Sequence, residues 1–113
     1  MIATGTPFAW DAAADGGLGD LVGRRVVQCA LSRICGVCAE PLGRPVAFLG
    51  TPVERGRNAF RCPPMHARCA DDVRRLAGAE PDWAVTLTSG FEFVRAGRDE
   101  ADRRPTFQPN SLL

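Results

Sequence analysis

The sequence predicts a single small α+β domain. Three observations carry that expectation. The chain has 113 residues, 45% of them apolar, which suits one globular unit. A helical apolar rhythm over residues 20–33 gives way to short strand-like runs at 45–50, 59–62 and 83–95. Between these runs stands a split cluster: Cys35-Gly36-Val37-Cys38, and then His66-Ala67-Arg68-Cys69.

Each half of the cluster has two residues between its ligating members. That is the spacing of a closed, tetrahedral zinc site. The expected cofactor is therefore one structural Zn²⁺ held by Cys35, Cys38, His66 and Cys69. A small residue between Cys35 and Cys38 lets a tight turn aim both sulfurs at one ion, and its backbone N–H groups can point at the thiolates. His66 and Cys69 are three apart and share one face of a helical turn. Cys62 is the rival ligand: a four-cysteine set of Cys35, Cys38, Cys62 and Cys69 would free His66. Cys62 precedes two prolines, however, whereas His66 and Cys69 share a turn. Cys29 falls on an apolar stripe and reads as a small buried hydrophobe.

Composition limits the function classes. The formal net charge is +1, and three thiolates with Zn²⁺ bring it near neutral. A strongly basic footprint is missing, which counts against a stand-alone nucleic-acid binder. All 14 basic residues are arginine, and there is no tyrosine. Five cysteines would leave one over in a disulfide framework. Met1 to Trp10 has neither a basic n-region nor an apolar h-region, and no run approaches the ~18 apolar residues of a membrane span. The expectation is a cytoplasmic protein with no membrane partner, in a reducing compartment that favours metal over disulfide.

Taken in order, residues 1–17 read as an N-terminal arm, with Phe8 and Trp10 as its anchors or else as part of a disordered terminus. A zinc-stapled domain is expected over 18–95. Its first element is a helix over Asp20–Arg33, with Leu18, Leu21, Val22, Val26, Cys29 and Ala30 on one face and Asp20 as its cap. Gly23 weakens that helix by roughly 1 kcal/mol. Pro45–Gly50 and Ala59–Cys62 read as a hairpin whose long polar tip carries Arg55 and Arg57. Pro63-Pro64 starts a second helix, which Gly78 stops. Trp83–Arg95 reads as a C-terminal hairpin turning at Ser89-Gly90. Residues 96–113 are expected to be a flexible tail, with Phe107 and Leu112-Leu113 able to dock on a partner or on the domain.

Knuckle, hairpin, then a helix bearing two ligands in its first turn: over residues 34–78 this order resembles the treble-clef zinc finger. The resemblance implies Cys35 and Cys38 from the knuckle and His66 and Cys69 from the helix as ligands. Ala39 departs from it, since treble-clef knuckles usually carry glycine there. More narrowly, Cys-x-x-Cys-x-x-Pro-Leu-Gly-x-x-x-Ala-Phe followed by Pro-Pro-Met-His-x-x-Cys-Ala is similar to small zinc-finger proteins of actinobacteria and their phages. That group offers no activity to carry over.

The expected function is a non-catalytic structural-zinc domain that binds a macromolecule, with a protein partner favoured. Nucleic acid is the alternative, with Arg55, Arg57, Arg61 and Arg68 as the phosphate-facing candidates; Asp71 and Asp72 lie close by and oppose it. Enzyme readings fare worse. Four protein ligands leave zinc no open position for water. The zinc-deaminase order of motifs is reversed. A nuclease on this scaffold would need a catalytic histidine, and the chain has one His. A Cys35–Cys38 redox pair would want a helix after it, but Glu40-Pro41-Leu42-Gly43 follows.

Overall fold

The computed structural model describes residues 6–98, 101–102 and 104–113. Among the described residues, three two-stranded antiparallel sheets and three short helices surround one core. Strands β1 (Trp10–Ala12) and β2 (Leu18–Leu21) pair first. Helix α1 (Gly23–Ser32) follows, then β3 (Val46–Gly50), α2 (Pro52–Arg57) and α3 (Ala67–Arg74). Strands β4 (Ala84–Thr88), β5 (Phe91–Val94) and β6 (Thr106–Pro109) complete the chain. Among the described residues no helix is long and apolar enough to cross a membrane.

The N-terminal arm is structured where it is described. Trp10 and Ala9 are buried. Phe8 and Ala9 donate backbone hydrogen bonds to Val37 O (3.1 Å) and Gly36 O (2.9 Å), so the arm lies against the Cys35–Cys38 turn. Helix α1 is shorter than expected. Asp20 does not cap it; Asp20 sits in β2, and the residue before the helix is Val22, with no side-chain cap. Leu18 and Leu21 extended the helical rhythm in sequence, but strand pairing with β1 places them instead. Val26 and Cys29 are the buried residues of α1.

The expected hairpin of 45–50 with 59–62 does not form. All five residues of β3 are buried, and the strand pairs in full with β4, from Val46↔Thr88 to Gly50↔Ala84. On its other side β3 meets Met65 through reciprocal bonds between Ala47 and Met65 of 2.8 and 3.0 Å. The reason is backbone chemistry: Pro63 and Pro64 lack the N–H a ladder needs, so the first usable donor is Met65. The polar tip is not open loop but α2, held by a capping box. Thr51 Oγ1 accepts from Glu54 N–H, Glu54 accepts from Thr51 N–H, and Pro52 follows the cap. Helix α3 likewise begins later than expected, at Ala67, with His66 as its N-cap residue.

The C-terminal hairpin over 83–95 is also replaced. β4 belongs to β3, and β5 pairs with β6, Phe93 opposite Phe107. Neither Ser89 nor Gly90 takes the positive φ that a tight two-residue hairpin turn requires. Instead Ser89 N–H bonds Ser111 O and Asn110 N–H bonds Gly90 O, bringing residues 110–111 alongside. Residues 104–113 are therefore not a flexible tail. Phe107 is fully buried and bonds Phe60 in both directions, at 2.7 and 2.9 Å. Its ring lies 5.7 Å from Phe48, 5.8 Å from Phe91 and 5.1 Å from Phe93. This aromatic cluster joins the β3/β4 and β5/β6 sheets.

Candidate metal centre

Helix α1 ends at Arg33 in a left-handed conformation, φ 52°, and delivers the chain into a tight loop. An Ile34↔Pro41 bridge closes that loop at its base. Within it, Cys35 N–H bonds Glu40 O and Ala39 N–H bonds Cys35 O, both at 2.9 Å. Ala39 takes φ 61°. Gly36 is required for packing, because a Cβ there would run into the Pro63 ring. Gly36 N–H bonds Pro64 O at 2.8 Å, which fixes the loop against the segment entering α3.

That contact brings the two halves of the split cluster together. The ligand atoms of Cys35, Cys38, His66 and Cys69 all lie within 4.8 Å of one another. His66 Nδ1 is 3.4 Å from Cys38 Sγ and 3.7 Å from Cys69 Sγ. In a tetrahedron with Zn–S near 2.3 Å and Zn–N near 2.05 Å, the S···N edge is about 3.6 Å. The donor set thus fits one metal ion such as zinc. Cys62 is buried and is not in the cluster.

The surroundings suit a thiolate-rich metal site. Val37 N–H and His66 N–H point at Cys35 Sγ, at 3.3 and 3.4 Å. His66 Nε2 lies 3.0 Å from Pro41 O; donation to that carbonyl fixes the tautomer that leaves Nδ1 free to ligate. Cys69 stands in the first turn of α3, where the helix's positive end opposes thiolate charge. Burial, and then the nearby Cys35 and Cys38, push the Cys69 thiol up to about 12. A divalent cation reverses that balance, because a coordinated thiol is deprotonated outright.

The other cysteines are set apart from this chemistry. Burial, then Cys35, raises Cys29 to about 12. Burial, then Glu54, raises Cys62 as well. Both are protonated at neutral pH and poor nucleophiles.

The four arginines singled out in sequence do not form one cluster. Arg55 and Arg57 are exposed on α2, and Arg68 is exposed on α3. Arg61 is half-buried and ion-paired with Asp102. Asp102 also takes Arg104 at 2.9 Å; the hydrogen bonds from Arg104, and then the Arg61 charge, hold its carboxyl well below the usual range. Sequence reading missed Asp102, Arg104 and the Pro41 carbonyl. No local pattern marks them, since each acts through a contact made only on folding. The chain matches no protein-family model, no curated protein and no solved structure.

Proposed function

We propose that this chain is a non-catalytic domain whose fold is held by one structural zinc, and that it serves as a binding module for a protein partner in the cytoplasm. The observation that carries the zinc reading is the closed Cys₃His set, with a backbone or helix-end partner for its charge. Four protein ligands leave the metal no open position for water. The reading extends to a treble-clef arrangement: a knuckle supplies Cys35 and Cys38, the start of α3 supplies His66 and Cys69, and the Ala47–Met65 bridge stands between as a minimal hairpin. In this reading α2 is an insertion in that hairpin.

A protein partner is favoured over nucleic acid by the surface. Arg61 is committed to Asp102, so the four candidate arginines offer no continuous phosphate track. Around α2, Leu112 is 63% exposed and lines one shallow cavity with Pro52 and Arg55. An apolar centre with an arginine beside it suits a protein interface. The test is capture by the tagged protein. A bound protein lost on Leu112→Asp or Arg55→Glu, with zinc content unchanged, supports the reading. Salt-sensitive retention on DNA or RNA, abolished by Arg68→Gln, supports the nucleic-acid alternative instead.

A further inference from the structure

A cavity elsewhere shares no residue with the Cys35–Cys38–His66–Cys69 set. Three arginines from three elements line one cavity of about 280 Å³: Arg57 at the end of α2, Arg95 after β5, and Arg104 before β6. Thr106 and Gln108 add hydroxyl and amide donors, and no acidic side chain lines it among the described residues. The walls are fixed from below. Asn58 Nδ2 donates to Pro109 O at 2.8 Å, tying the end of α2 to β6, and the paired Phe60–Phe107 bonds hold the same two segments. Asp102 orients Arg104 from outside the cavity, through bonds to Nε and Nη2 of 3.0 and 2.9 Å. Arg57 has no ion-pair partner among the described residues. Arg57 and Arg95, with Arg104 beside them already bonded to Asp102, offer a phosphate charge-assisted donors.

The cavity does not end there. Arg57, Arg104 and Thr106 also line an adjoining groove of about 490 Å³. It is also lined by half-buried Trp83, by Leu21, and by Glu54, Arg61, Glu80 and Asp82. An indole accepts a flat heterocycle by stacking, and carboxylates accept from its amines or from sugar hydroxyls. Together the cavity and the groove are lined by four arginines (Arg57, Arg61, Arg95 and Arg104), three carboxylates (Glu54, Glu80 and Asp82) and one indole.

We propose that this composite groove binds a free nucleoside monophosphate, its phosphate among Arg57, Arg95 and Arg104 and its base against Trp83. This goes beyond the docking reading and does not depend on it. The four common nucleoside 5′-monophosphates are titrated into the zinc-loaded protein, with Trp fluorescence and calorimetry as readouts. Trp10 is buried, so the ligand-dependent signal belongs to Trp83. At least one nucleotide binds saturably, with changed Trp emission. Arg57→Gln and Arg95→Gln each weaken it about tenfold, the scale of one charge-assisted hydrogen bond. Trp83→Phe retains binding better than Trp83→Ala, and Arg24→Gln on α1 leaves it unchanged. Thermal unfolding and zinc content, unaltered in the arginine variants, separate lost binding from lost fold. Absence of saturable binding, wild-type affinity in both arginine variants, or equal affinity for inorganic phosphate overturns the proposal. A single-stranded oligonucleotide bound about tenfold more tightly than any mononucleotide overturns it in favour of a nucleic-acid chain.

Discussion

Ala39 carries the loop after Cys38 through a left-handed backbone, φ 61°, which costs an L-residue about 1–2 kcal/mol. Glycine removes that cost but loses about 0.4–1 kcal/mol through its freer unfolded state. Ala39→Gly is therefore expected to stabilise the protein by up to about 1.6 kcal/mol, read as a raised thermal midpoint with zinc content unchanged. The same position shows what sequence could convey. Cys35, Cys38, His66 and Cys69 were legible because ligand spacing is local to each pair. The demand for positive φ at residue 39 was legible only as a departure from the resembled pattern. The hydrogen bond from His66 to Pro41 was not legible, since it joins residues 25 apart in the chain.

At the scale of elements, α2 rests on its capping box. Thr51-Pro52-Val53-Glu54 carries that signature in plain sight, yet the polar, glycine-bearing stretch reads equally as a turn. Thr51→Ala is expected to cost about 1 kcal/mol, measured by denaturant unfolding. Glu54 has a wider reach: its second carboxylate oxygen accepts from Arg61 N–H at 3.0 Å, so α2 and the segment leading to Cys62 are held by one side chain. Strand composition was legible for β3, β4 and β5. Their pairing was not. β3 chose β4, more than thirty residues on, because Pro63 and Pro64 cannot donate and because a strand buried on both faces needs a partner along its whole length. Alternation along a strand marks its two faces but names no neighbour.

At the scale of the whole molecule, two cross-links unite the chain. One is the Cys/His set that fits a metal ion, which brings the α1–β3 loop against the start of α3. The other is the aromatic cluster of Phe48, Phe60, Phe91, Phe93 and Phe107. The second explains why the C-terminal segment is ordered despite a composition that promised little: one fully buried ring and a four-residue strand anchor it. Phe107→Ala is expected to cost about 3–5 kcal/mol, a large share of the roughly 5–15 kcal/mol by which small domains are stable. Urea unfolding measures it; a loss below about 1 kcal/mol would mean that the segment is not part of the core.

The measurement that bears most directly on the account is metal content taken together with circular dichroism, before and after strong chelation. The account predicts about one zinc per chain in the native protein. It predicts none in Cys69→Ser, and one retained in Cys29→Ser. It also predicts collapse of the native spectrum when zinc is withdrawn, since structural zinc binding is worth about 10–16 kcal/mol. A metal-free protein with a native spectrum, cycling a Cys35–Cys38 disulfide, would contradict it.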